Sequence, residues 1–143
     1  MFRVLLFLAL LASYPLAVQA DELKGPISAE VLRIVDGDTV HVRAMIWVNQ
    51  SVEVSVRLRG ADAPELFKPK CPSEKELAYQ AKAAVAATIP VGTTIALTDI
   101  GQDKYGGRVV ANIETELGET LSAHLIAKGQ AIAYGTKKPW CGV

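Results

Sequence analysis

No surplus of charge of either sign marks this 143-residue sequence, which sets fifteen Lys and Arg against fifteen Asp and Glu. A chain without a basic coat does not adhere broadly to polyanions, so any grip on a phosphate backbone must come from a local cluster of bases or a bound cation. Histidine and cysteine are as scarce, at two each. His41 and His124 stand alone with no ligand spacing around them, which argues against zinc, because two thiols need further ligands to close a site. Beyond residue 20 no stretch is apolar enough for a transmembrane helix, and internal repeats, long linkers and low-complexity tracts are missing too.

The first twenty residues do carry a signal. Arg3 supplies a positive charge, Val4 to Leu11 is an apolar run too short for a membrane anchor, and Val18-Gln19-Ala20 offers a cleavage site. This predicts a secreted or periplasmic protein whose mature form starts at Asp21. Removing residues 1–20 leaves 123 residues, enough for one domain (21–143), and a net charge of −1 once Arg3 is gone. In an oxidising compartment Cys71 and Cys141 are expected to pair, closing a 70-residue loop that stabilises by about 4 kcal/mol on the chain-entropy model.

β-Branched residues dominate Ile27 to Val35 and Thr39 to Ile46, and Asp36-Gly37-Asp38 between them is a turn signal, which together make a hairpin. A second turn is expected at Asn49-Gln50-Ser51, followed by Val52, Val54 and Val56 alternating with polar residues in a strand ending near Gly60. Ser73 with Glu76 reads as a capping box for a helix whose apolar stripe is Leu77, Ala81, Ala84 and Val85, ended by Ile89-Pro90. Strands are expected at Thr93–Leu97 and Arg108–Ile113, and a second helix from Thr120 to Lys128 with Gly129 as its stop. Five short strands with a helix after the third fit an α+β, mainly β fold built on a five-stranded oligonucleotide/oligosaccharide-binding (OB) barrel with about two added helices. Met45 and Trp47 are expected to pack in the core or at its rim.

Acids and bases concentrate in three loop segments: Asp36-Gly37-Asp38-Thr39, Arg57-Leu58-Arg59-Gly60-Ala61-Asp62-Ala63-Pro64-Glu65, and Asp103-Lys104-Tyr105-Gly106-Gly107-Arg108. Each alone has a plain reading as a turn or loop opening. In this order and spacing they resemble the staphylococcal nuclease (thermonuclease) family, from about Ile27 to Tyr134. The resemblance implies an OB barrel with calcium held by Asp38, Asp62 and the main-chain carbonyl of Ala63, hard oxygen donors that suit that ion. Asp36 is expected to form the turn rather than to bind directly. Glu65 matches the glutamate that acts as general base or positions the attacking water. Arg57 and Arg108 match the two arginines that stabilise charge on the phosphoryl oxygens, and Lys104 and Tyr105 match substrate-binding positions.

The implied activity is hydrolysis of DNA and RNA phosphodiesters with little sequence preference, leaving 3′-phosphates, by a monomer. Arg59, Lys68 and Lys70 are read as a weak electrostatic funnel beside the site. Two departures from the family stand out. Relatives commonly read Tyr-Gly-Arg, whereas Gly106-Gly107 here lengthens the segment by one residue and puts the placement of Arg108 in question. The staphylococcal member carries a further helix after the barrel, where this sequence has Lys137-Lys138-Pro139-Trp140-Cys141, a tail that a Cys71–Cys141 bond would pin beside the active-site loop. The alternative is a non-catalytic barrel that binds nucleic acid or another partner, which would not need the full set of acids and arginines.

Overall fold

Alternation along each strand decides which side of the sheet is buried. The computed structural model describes residues 21–142, so the expected export signal lies outside the described residues. The elements in chain order are β1 (Ile27–Ile34), β2 (Thr39–Trp47), β3 (Gln50–Leu58), β4 (Ala61–Asp62), α1 (Pro72–Thr88), β5 (Thr94–Gln102), β6 (Arg108–Glu114), α2 (Leu121–Ala127) and β7 (Ile132–Ala133). In β3, Val56 and Leu58 point inward and are buried, while Ser55 and Arg57 face outward. The same rule turns Val31, Val40, Val42, Leu97 and Ile113 into one core, which β1, β2, β3, β6 and β5 enclose in that order. The closed, mainly β barrel with two helices is the OB-type fold expected from the sequence. β3 and β6 run parallel, while the other barrel pairs are antiparallel.

Two devices bring remote segments to the end of β3. Helix α1 lays Ala78, Ala81 and Val85 inward, and the β1–β2 turn approaches it so closely that a Cβ on Gly37 would lie 2.6 Å from that of Ala81 and 2.7 Å from that of Ala63. Two-residue strands β4 and β7 pair with each other, which lays the chain just after β3 against the segment leading to the tail. The Cys71–Cys141 disulfide, with Cα atoms 5.9 Å apart, then ties that tail to the start of α1.

Several local expectations are corrected. Helix α1 is capped by Cys71 rather than Ser73: the disulfide sulfur accepts the Glu74 N–H and Pro72, which has no N–H to satisfy, takes the first helical position. Ser73 instead donates its hydroxyl to the Trp140 carbonyl at 2.9 Å. The buried stripe is accordingly Glu74, Ala78, Ala81 and Val85, with Leu77 half-buried. The β2–β3 turn falls at Val48-Asn49, one residue early, with Asn49 in the left-handed region at φ 58°. Met45 and Trp47 do not pack inside. They are 49% and 76% exposed, because this hairpin runs on past the barrel and presents Ile46 and Val48 to solvent as well. Strand β5 continues to Gln102 past the expected end, through an irregularity at Asp99 (φ 46°) whose carbonyl accepts from Arg59 Nε and Nη2 at 3.0 and 2.8 Å. Helix α2 follows the sequence, with the Thr120 hydroxyl accepting the Ala123 N–H and Gly129 at φ 68° just beyond its end.

Because the neighbours of Gly37 are side-chain methyl carbons on a helix and a loop, Gly37→Ala is expected to destabilise by about 1–3 kcal/mol through overpacking. Urea unfolding of Gly37→Ala and of Gly37→Ala/Ala81→Gly tests this, the second change restoring part of the loss by removing one of the two clashing methyls.

Candidate active site

Arg57 is the fixed point of the site. Strand β3 aims it outward, and its Nη1 donates to the carbonyls of Leu58 at 3.1 Å and Ala61 at 2.7 Å. Its Nη2 donates to Asp62 Oδ1 at 2.5 Å and lies 3.4 Å from Asp38 Oδ2. All three side chains are largely buried. Asp38 is set by its turn: Asp36 Oδ1 accepts the Asp38 N–H at 3.0 Å, and Asp38 in turn accepts from the Thr39 hydroxyl and from the Ala63 N–H at 2.9 Å. Asp36 thus shapes the turn, as its position suggests.

Two largely buried carboxylates share one guanidinium. Burial pushes the Asp38 carboxyl up to about 6, against the pull of Arg57, and the neighbouring Asp36 adds to the rise. Asp38 and Asp62 present hard carboxylate oxygens side by side, a donor type that suits a divalent cation such as calcium. Elsewhere among the described residues Cys71, Cys141 and Glu74 also come together, but the two sulfurs are bonded to each other and offer no thiolate.

The parallel register of β3 and β6 settles how the two arginines are related. Arg108 pairs with Ser55 and Val110 with Arg57, so Arg57 and Arg108 project from the same outer face, about 7 Å apart along the strands. The extra glycine is absorbed in the turn, where Gly106 and Gly107 both have φ of 68° and the Gly106 N–H bonds to the Asp103 carbonyl at 3.1 Å. Arg108 stays on the cleft side, but its Nε is hydrogen-bonded to Asp103 Oδ2 and its guanidinium lies 5.7 Å from the Tyr105 ring centre. Burial raises the Asp103 carboxyl, and the Arg108 hydrogen bond and charge outweigh it with help from backbone N–H groups, so Asp103 titrates below the usual range.

An open cleft of about 560 Å³ gathers Asp38, Arg57, Asp62, Glu65, Lys104, Tyr105 and Arg108. Ala63 is buried behind it. Of the expected funnel, Arg59 lines the cleft while held to the Asp99 carbonyl, and Lys68 and Lys70 lie outside the lining. His41 and His124 bond to Ser55 and Glu119, away from the cleft.

Sequence reasoning missed four contributors. Tyr134 reaches Lys104 Nζ with its hydroxyl at 3.3 Å, and Asp103 engages Arg108. Lys138, from the tail, puts its ammonium 3.8 Å from Glu65 Oε1 and 4.0 Å from Asp62 Oδ2. Glu74, 2% exposed, accepts the N–H groups of Glu65 at 3.2 Å and Lys70 at 2.6 Å and so clamps both ends of the loop that carries Glu65. The signal for Lys138 was present in the paired cysteines, since a bond to Cys141 brings its neighbours to the loop. Glu74 gave none, because a buried acid in a first helical turn looks like any solvated one.

Fold and cleft together define a class: an OB barrel that carries paired acids and outward arginines on one flank. The staphylococcal nuclease homologue family model matches residues 55–141, more than half of the sequence, and the chain belongs to that family. It is also 29% identical over 126 residues to endonuclease YhcR of Bacillus subtilis (strain 168); the match covers 80% of this chain and 10% of that protein's length.

The raised Asp38 carboxyl has a signed consequence. Its proton binds more tightly in the folded state, near pH 6, than in the unfolded chain, near 3.8, so the cation-free fold gains stability as pH falls from 6 toward 4 and loses it above 6. In EGTA, Asp38→Asn is therefore expected to stabilise by about 2 kcal/mol at pH 7.5 and to be nearly neutral at pH 4. Denaturant unfolding at both pH values measures the difference, and equal effects at the two would contradict the raised Asp38 carboxyl.

Proposed function

We propose that this protein is a calcium-dependent phosphodiester hydrolase acting on DNA and RNA with little sequence preference and leaving 3′-phosphates. The observation that carries the reading is the placement of Arg57 and Arg108 on one face of the β3–β6 pair, over a cleft that also holds Asp38, Asp62 and Glu65. Family membership and the similarity to a protein named an endonuclease support the nuclease class.

In this reading Asp38, Asp62 and the Ala63 carbonyl hold calcium, which when bound supplies Lewis-acid polarisation of the phosphate and a template for it. Arg57 is fixed by two backbone carbonyls and Asp62, so little reorganisation is needed before it donates to a phosphoryl oxygen. Glu65, half exposed, accepts a hydrogen bond from the attacking water and orients it toward phosphorus or takes its proton. Arg108 swings from Asp103 to the developing negative charge. Lys104 and Tyr105 bind a neighbouring phosphate and sugar. The expected setting is the periplasm or the medium, with the protein acting as a monomer.

A non-catalytic, nucleic-acid-binding barrel is the second reading, favoured by one contact: the guanidinium of Arg108 is already engaged by Asp103. Digestion of single-stranded DNA, duplex DNA and RNA with calcium or with EGTA separates the two. The hydrolase is expected to cleave all three only with calcium, and Glu65→Gln to slow cleavage roughly 10²–10⁴-fold while leaving the fold intact. Failure of the disulfide-bonded protein to cleave across pH and salt would overturn the hydrolase and make the binding module the better reading.

A further inference from the structure

The C-terminal tail supplies the cleft with a cation that the reactive segments of the sequence do not contain. Lys138 approaches Glu65 and Asp62 at 3.8 and 4.0 Å, too far for hydrogen bonds, so the ammonium is drawn into the cleft by charge while its three N–H donors remain available for another acceptor. Its position is built. The ammonium sits 5.3 Å from the Trp140 ring centre, Pro139 stiffens the link, the Trp140 carbonyl accepts from Ser73, and Cys141 is bonded to Cys71. The charge count around the cleft gives this cation weight. Five acids and five bases line it, Lys138 among the bases, so without Lys138 the cleft would be net negative before any cation arrives. A phosphodiester carries the same single negative charge as either carboxylate, but a phosphate bound in the cleft could come within hydrogen-bond distance of the ammonium, which neither Glu65 nor Asp62 does.

We propose that Lys138 is a substrate-binding residue of this site, contacting a backbone phosphate of single-stranded nucleic acid, and that the Cys71–Cys141 disulfide positions it. The proposal rests on the nucleic-acid reading above, but its test does not rest on cleavage.

The probe is a fluorescent single-stranded oligodeoxynucleotide, its affinity measured by anisotropy across a salt series for the wild-type protein, Lys138→Met, Lys138→Arg and Lys137→Met, with KM and kcat measured on the same strand where it is cleaved. Loss of one phosphate contact is expected to lower the slope of log affinity against log salt by about 0.7 in Lys138→Met, with KM rising several-fold and kcat little changed. Lys138→Arg should keep the wild-type slope. So should Lys137→Met, which removes the same charge from an exposed neighbour outside the cleft lining. Reducing the disulfide, or Cys141→Ser, should reproduce the loss of slope while circular dichroism shows the barrel intact. A wild-type slope in Lys138→Met, or an equal loss in Lys137→Met, would overturn the proposal. A wild-type protein that binds with the expected slopes and does not cleave would instead count against the hydrolase and leave the Lys138 contact in place.

Discussion

Everything in the cleft is referred to the guanidinium of Arg57. A buried carboxylate without a counter-charge is costly, and here two of them, from a turn and from a two-residue strand, can approach only because one planar cation stands between them. The arginine in turn is immobilised by the carbonyls of Leu58 and Ala61, groups that belong to the end of its own strand and the loop beyond. The turn and the strand end, already joined by the β2–β3 ladder and by the Leu58 N–H to the Asp38 carbonyl, are thereby tied to the Ala61–Asp62 segment by a single side chain. Even so, burial raises the Asp38 carboxyl by more than Arg57 lowers it.

A second constraint acts from behind. Glu74 holds the backbone of the Glu65 loop at two N–H groups, and its own helix is capped by the disulfide sulfur of Cys71. Loop, helix start and tail therefore form one mechanical unit. Gly37 adds the reverse contact, letting the Asp36–Asp38 turn sit directly on that helix. The acids of the cleft are positioned less by each other than by backbone on which the 17-residue helix α1 and a short tail converge.

The barrel was legible because its strands alternate cleanly: Val52, Val54 and Val56 mark one face of β3 without any reference to the rest of the chain. Helix α2 was legible for the same local reasons, a threonine cap and a glycine stop. What escaped depends on distant partners. The start of α1 moved from Ser73 to Cys71 because a sulfur 70 residues away in sequence was bonded there, and β5 runs on through Asp99, whose carbonyl is held by Arg59 just beyond β3. Strands β4 and β7, two residues each, have no periodicity to detect. In the cleft, the residues carried by the three loop segments were nameable from their order, and the structure brings them together. Lys138 and Glu74 were not, since their importance arises from where the fold puts them rather than from what surrounds them in the chain.

The parallel pairing of β3 with β6 has a kinetic meaning. Arg57 and Arg108 come from strands separated by a helix and two further strands, so the contact that aligns them closes a long loop and cannot form early as a hairpin can. Hairpins β1–β2–β3 and β5–β6 can each collapse on local contacts while the face that carries both arginines does not yet exist. The cleft is complete only once β3 and β6 have paired, and a partly folded chain holds Asp38 and Arg57 on one piece and Asp103 and Arg108 on another.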